Sequence, residues 1–288
     1  MTKKKFEASS HTLYIYIEYI STCCQYIFEV ISIQIFCIMC FTMKVEKINV
    51  DYDDFHTSTS PQLKFITEKN FTYRLLLEEI NKYIKANEKI LDIGCGAGTL
   101  GLYIGKKRKQ AVGIDISRKA VESANESAKR LNLKNVIFEV INFPMQIPKG
   151  KFDFIIFTEV IEHLEDDNQA LKQIYKLLNK GGIVLISTPS KNAPLHRLGY
   201  ARGFDKRVGH LRRYTVEELT KKCAENGLVV IETKKIEGIL RNFLFLSPKA
   251  GKLVRFVKFF ISDLITFIDN LTVPIFGESN IIVVARKK

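Results

Sequence analysis

The run Lys89-Ile90-Leu91-Asp92-Ile93-Gly94-Cys95-Gly96-Ala97-Gly98-Thr99-Leu100 constrains this chain more than any other. An apolar strand pattern runs into alternating glycines, and a helical pattern follows from about Thr99. Glycine allows a sharp turn and a close approach of backbone to ligand. The helix then aims its unpaired N–H groups at whatever occupies the turn. Val112-Gly113-Ile114-Asp115 reads as a second strand ending in an acid. That acid stands near the spacing, about 20 residues on, at which a carboxylate takes the hydroxyls of a ribose. The pattern predicts a nucleoside-containing cofactor at the carboxyl edge of an α/β sheet.

A dinucleotide fingerprint would need glycine where Thr99 stands. The spacing is instead G-x-G-x-G, with Asp92 two residues ahead of Gly94. Here the chain resembles the class I S-adenosylmethionine-dependent methyltransferases, whose first motif is (D/E)-x-G-x-G-x-G. Asp92, Gly94, Gly96 and Gly98 match it residue for residue. The resemblance implies that Gly94 to Gly98, with Cys95 among them, cradle the methionine portion of S-adenosylmethionine. It implies that Asp115 holds the ribose and that Ile116 lies against the adenine. Asn142-Phe143, just past the third strand, stand where such enzymes usually touch the adenine.

Beyond this motif, strands and helices alternate. Strands are expected at about 89–93, 110–115, 135–140, 152–157 and 182–187, with two more over Leu228–Thr233 and Ile281–Ala285. Helices are expected over Phe71–Lys85 and at about 99–107, 118–132 and 166–179. Asn179-Lys180-Gly181-Gly182 reads as a glycine C-cap, and Thr215 before Glu217-Glu218 as a capping-box start. The expected fold is α/β, Rossmann-like and doubly wound: a mostly parallel seven-stranded sheet with helices on both faces.

A second constellation follows the fourth strand: Thr158-Glu159-Val160-Ile161-Glu162-His163. A helical turn there would put Glu162 and His163 on the face of Glu159. Two carboxylates and an imidazole suit a divalent cation or a proton-transfer pair, and equally a solvated acidic helix start. Glu-x-x-Glu-His in this place resembles the quinone-biosynthesis O-methyltransferases, and also the small-RNA 3′-end 2′-O-methyltransferases. The resemblance covers about residues 70–235. It implies a metal held by Glu159, Glu162, His163 and His210, the cation being Mg2+ or another divalent ion. It also implies that His163 and Glu162 act on the proton of an acceptor hydroxyl. The expected reaction is O-methylation of a small or lipid-like hydroxyl acceptor. RNA 2′-O-methylation and a non-catalytic cofactor-binding regulatory subunit are the alternatives.

Composition bounds the partners. Among the 288 residues, 46% are hydrophobic, enough to fill a core, and the formal net charge is +13. The charge suits anionic lipid, a phosphorylated substrate or nucleic acid; no RNA-binding module is recognisable, so nucleic acid is the weakest of these. Arg197, Arg202, Lys206, Arg207, Arg212 and Arg213 crowd one segment that reads as a basic loop over the substrate or as a solvated surface. The six cysteines form no secreted framework, which favours a reducing cytoplasm.

Residues 1–42 stand apart. Thr12–Thr42 is apolar and long enough to span a bilayer, yet Glu18, Gln25, Glu29 and Gln34 interrupt it. A membrane anchor, a buried helix, and an extension upstream of a start at Met43 all remain open. The methyltransferase domain is expected over 43–288. Within it, 237–279 is an insertion, basic and then apolar, that reads as a substrate lid or a membrane-facing helix.

Overall fold

Residues 61–84, 89–246 and 263–288 are described by a computed structural model of the chain. At its centre is β1 (Lys89–Ile93), whose Ile90 packs into one hydrophobic cluster and Leu91 into another, both fully buried. Successive side chains of a strand point to opposite faces. An uninterrupted apolar strand therefore requires cover on both sides. β4 (Phe152–Thr158) follows the same rule from Phe154 onward: Phe154 and Ile156 face one cluster, Ile155 and Phe157 the other, and a register shift between Phe152 and Phe154 puts Phe152 with the second.

The remaining strands are β2 (Gln110–Asp115), β3 (Val136–Val140), β5 (Leu178–Pro189), β6 (Leu228–Ile236) and β7 (Asn280–Lys287). They form one seven-stranded sheet in the order β3-β2-β1-β4-β5-β7-β6. β7 runs antiparallel to both neighbours and the other pairings are parallel. This is the expected fold class. The strand order reverses between β1 and β4, and in open α/β sheets the crevice beyond such a switch point takes the ligand.

Helices α1 (Arg74–Tyr83), α2 (Thr99–Lys106) and α3 (Arg118–Arg130) cover the face that holds Ile90 and Phe154. Helices α4 (Asp167–Leu177) and α7 (Val216–Glu225) cover the other, through Leu171, Ile174, Leu219 and Cys223. The capping box at Thr215 forms as expected: the Glu218 N–H donates to Thr215 Oγ1 at 3.2 Å, and Glu218 Oε2 accepts from the Thr215 N–H at 3.0 Å.

Two local expectations are corrected. α4 does not run to the glycines at 181 and 182. It closes at Leu177, because Leu178 is already extended and pairs with Phe152 at the start of β5. Asn179 then donates its amide to Asp153 at 2.7 Å, tying the strand start down. The basic stretch after β5 is not an open loop but two short helices, α5 (Pro194–Arg197) and α6 (Arg202–Val208).

The insertion contains α8 (Ile239–Leu246) and α9 (263–276). Among the described residues, no helix is long and apolar enough to cross a membrane. The apolar stretch 12–42 lies outside the described residues. Cys95 and Cys223 are buried free thiols.

Candidate active site

A cavity of about 1440 Å³ opens over the carboxyl ends of β1, β2 and β4. Asp92, Gly94, Cys95, Gly96, Asp115, Ile116, Asn142 and Phe143 all line it. Sequence positions from three separate strand ends thus converge on one space, at the switch point.

The turn after β1 runs through left-handed backbone that glycine adopts freely. Gly94, Gly96 and Gly98 have φ of 73°, 50° and 80°, where a Cβ is unfavourable. Asp115 locks the turn: its Oδ2 accepts the Gly96 N–H at 2.8 Å, and its Oδ1 accepts the Ser117 N–H at 2.8 Å. A carboxylate has further lone pairs to offer, so this acid is oriented by amides while still facing the cavity.

Asp92 is the electrostatic centre of this half. It is 2% exposed, and its Oδ2 is buried without a hydrogen-bond partner. Burial, and then the charge of Asp115, push its pKa up to about 7. An unpartnered carboxylate oxygen at the wall of a cavity fits a cationic ligand group, such as the ammonium of a methionine moiety. Burial, with Asp92 and Asp115 nearby, keeps the Cys95 thiol neutral. Ile116 is 57% exposed and offers an apolar face to a flat ring. Phe143 packs edge-on against Phe157 at 5.9 Å.

Gly98 is a correction. It is buried and does not line the cavity. A Cβ there would lie 2.7 Å from the Phe138 ring and 2.8 Å from Ala124. Its small size seats α2 against α3 and β3, so its requirement is packing and backbone conformation rather than approach to a ligand.

Glu162, His163 and His210 come together in the same region: the two imidazoles line the cavity and Glu162 lies buried beside them. One ligand atom from each lies within 4.8 Å of the others. Glu162 Oε1 is 4.0 Å from His163 Nε2 and 3.9 Å from His210 Nε2. Glu162 is fully buried, and while Oε2 accepts from Thr188 Oγ1 at 3.0 Å, Oε1 has no hydrogen-bond partner. Both imidazoles are oriented from behind. His163 Nδ1 donates to the Gly209 carbonyl at 3.2 Å, and His210 Nδ1 donates to Asp205 Oδ1 at 2.9 Å. Each ring then carries its lone pair on Nε2, the tautomer a metal ligand needs. Burial, and then the neighbouring His210, lower the His163 pKa to about 4, so it is neutral at physiological pH. Burial, and then Glu159, raise Glu162 well above its ordinary value.

Glu159 is not brought into this group, contrary to expectation. It has φ of 56°, so no helical turn starts there, and the 3-10 turn covers only Ile161–His163. Its Oε1 accepts from Ser187 Oγ and Asn280 Nδ2, each at 2.8 Å. The carboxylate thus lines the cavity but is turned toward β5 and β7.

The basic segment also divides. Arg212 pairs with Asp167 at 3.2 Å. Arg213 grips Asp205 through Nη2 at 2.6 Å and Nε at 3.0 Å. Lys206 and Arg207 reach the cavity wall beside Phe204. Sequence reasoning missed several lining residues: Phe71 and Tyr73 ahead of α1, and Arg241, Leu244 and Phe245 on α8. Their only sequence signal is an aromatic cluster before one helix and a lone arginine in an apolar one. Arg241 is 2% exposed, stacks on Phe71 at 4.3 Å and bonds Thr266 at 3.3 Å.

Comparison with known proteins agrees with this fold. The profile of the methyltransferase domain family matches residues 67–233. Over 143 residues the chain is 35% identical to a ubiquinone biosynthesis O-methyltransferase of Pelagibacter ubique, covering 50% of this chain and 58% of that protein. Over 151 residues it is 30% identical to a ribosomal protein L11 methyltransferase of Clostridium botulinum, covering 51% and 44%. The chain spans about half the length of the curated relatives it matches. Among solved structures, Haemonchus contortus phosphoethanolamine N-methyltransferase 2 in complex with S-adenosyl-L-methionine aligns with a TM-score of 0.56 at 17% identity, over 75% of this chain and 52% of that one. Magnesium protoporphyrin IX methyltransferase of Synechocystis with bound S-adenosylhomocysteine aligns with a TM-score of 0.52 at 15% identity, over 84% and 90%. At these identities the structural likeness is one of fold. The family match spans most of the sheet, the glycine turn and the segment from Glu162 to His210, and the chain belongs to the methyltransferase domain family, with the fold of the class I S-adenosylmethionine-dependent methyltransferases.

Proposed function

We propose that the protein O-methylates a small or lipid-like acceptor bearing a hydroxyl group. The observation that carries this reading is the convergence of the unpartnered Glu162 Oε1 with the Nε2 sides of His163 and His210, two imidazoles that line the same cavity as the glycine turn. Bound S-adenosylmethionine supplies an electrophilic sulfonium methyl. Asp92 takes its ammonium group, Gly94, Cys95 and Gly96 cradle the methionine chain, and Asp115 accepts from the ribose hydroxyls. Ile116, Asn142 and Phe143 bound the adenine.

The remaining task of the protein is to align the acceptor and remove one proton. Glu162, His163 and His210 would hold a divalent cation, which supplies a Lewis-acid contact that acidifies a hydroxyl. Glu159 is not among these ligands in the arrangement described above. His163, neutral and fixed by Gly209, accepts the hydroxyl proton if no cation is present. Phe71, Tyr73, Leu76, Phe204, Leu244 and Phe245 give the cavity an apolar side suited to a hydrocarbon or aromatic body. The curated O-methyltransferase relative named above points the same way.

The test is methyl transfer from labelled S-adenosylmethionine to three acceptor classes: hydroxylated aromatics with apolar tails, amines, and a short RNA with a free 3′ end. Each product is identified by mass spectrometry, with and without chelator. Transfer to the phenolic oxygen is the expected result. Transfer only to nitrogen, or only to the RNA, would overturn the reading.

A further inference from the structure

Helix α9 (263–276) has its polar side inward and its apolar side outward. Asp269 is fully buried. Its Oδ2 accepts the Gly238 N–H at 2.7 Å and its Oδ1 the Arg241 N–H at 2.9 Å, which caps the start of α8. Thr266 and Thr272 are buried on the same side. Thr266 Oγ1 takes the Arg241 guanidinium at 3.3 Å, and Thr272 Oγ1 donates to the Asp269 carbonyl at 2.6 Å.

The opposite side carries Leu264, Phe267, Ile268, Leu271 and Ile275, at helical spacing. Phe267 is 63% and Ile275 62% exposed. An amphipathic helix on a protein normally buries this stripe. Single exposed apolar residues are ordinary, but a continuous stripe marks a binding surface. The stripe does not face the active-site cavity, since no residue of 263–276 lines it. α8 forms that wall, and α9 supports α8 from behind through Asp269.

Charge indicates what covers the stripe. Arg197 and Lys235 line a small cavity of about 430 Å³ together with Ile275, Phe276 and Glu278; Glu278 pairs with Lys235 at 3.6 Å, so Arg197 is the cation offered at this end of the stripe. In the sequence, Lys249, Lys252, Arg255 and Lys258 precede α9, and residues 247–262 contain no acid. The whole chain carries a net charge of +13. A second copy would bring the same positive field against this face and be repelled. An anionic bilayer suits both features: acyl chains for the stripe, and headgroup phosphates for Arg197 and for the basic sequence that leads into α9.

We propose that α9 docks the protein on an anionic lipid surface, lying in the plane of the interface with its apolar stripe in the headgroup–acyl boundary. This docking does not depend on which acceptor is methylated. The test uses the full chain, sedimented with vesicles of phosphatidylcholine alone and of phosphatidylcholine mixed equally with phosphatidylglycerol. Wild-type protein should sediment with the anionic vesicles, and less so as salt is raised. Phe267→Glu combined with Leu271→Glu should weaken that binding about tenfold or more, since two stripe side chains leave the apolar boundary. Phe267→Ser with Leu271→Ser gives a milder version of the same loss. S-adenosylmethionine binding should be unchanged in both and serves as the check of folding. Absence of sedimentation with anionic vesicles would overturn the proposal, as would equal sedimentation of wild type and variants. So would light scattering that shows a dimer for wild type and a monomer for the variants, because the occupant would then be a second copy.

Discussion

Asp205 Oδ1 accepts the Nδ1 proton of His210 at 2.9 Å, and on the far side of the same ring Nε2 lies 3.9 Å from Glu162 Oε1. The carboxylate therefore sets the tautomer of an imidazole that faces a buried, unpartnered oxygen. Burial alone would raise the Asp205 pKa; the hydrogen bonds from His210 and Arg213 outweigh it and hold the acid well below the usual carboxylate range.

Asp205→Asn should weaken divalent cation binding about 10–100-fold, the scale for a group that orients a ligand from behind. Titration calorimetry with Mn2+ reads this directly. S-adenosylmethionine affinity should stay the same, because Asp205 does not line the cavity. A cation affinity that does not move would show that His210 keeps its orientation without the acid.

Asp92 makes cofactor binding pH-dependent. Its pKa of about 7 means that the free protein increasingly holds this carboxyl protonated as pH falls below neutrality. The ammonium of the cofactor needs the carboxylate, so affinity should fall as pH drops below about 7 and binding there should release a proton. Calorimetry in two buffers of different ionisation enthalpy measures that proton. Asp92→Asn should weaken binding by about 1–3 kcal/mol and flatten the profile. Asp115→Ala should cost a similar amount, because it also frees the Gly96 and Ser117 amides. Tight binding of a nicotinamide dinucleotide in place of S-adenosylmethionine would contradict both.

Gly98→Ala tests packing against ligand contact. The new methyl meets Phe138 and Ala124, and the residue must keep φ of 80°. Stability should fall by about 1–3 kcal/mol in urea unfolding. The folded fraction should bind the cofactor nearly as wild type does. A large loss of affinity with unchanged stability would restore Gly98 to the binding loop.

Chelation separates the two roles open to His163. If a cation acts at Glu162, His163 and His210, excess chelator should abolish turnover and leave cofactor binding intact, and added Mg2+ or Mn2+ should restore it. His163→Ala should abolish turnover in the same way, without rescue. Full activity in chelator would leave His163 as a plain general base.

Much of this architecture was legible in the sequence because it is local. The turn of Gly94 and Gly96 needs backbone angles that glycine favours, and the nearly continuous apolar run through Phe152–Phe157 demands a strand buried on both faces. Thr215 and Glu218 announce a helix start within four positions. Asp115 could be placed beside the glycine turn because a second strand, laid parallel to the first, must end there. Only the tertiary structure decided which distant side chains meet. Glu159 and Glu162 look equivalent in the motif, yet a left-handed φ at Glu159 sends it to Ser187 and Asn280, while Glu162 is turned toward His210. Gly98 shares its motif with Gly94, but Phe138 fills the space that a ligand would need. In α9 the apolar character was plain, and the direction in which it faces was not. Asp269 turned the polar side inward, because capping the start of α8 satisfies buried amides that no apolar side chain can. Spacing along a chain encodes which residues share a face; the hydrogen bonds of the surrounding fold decide which way that face looks.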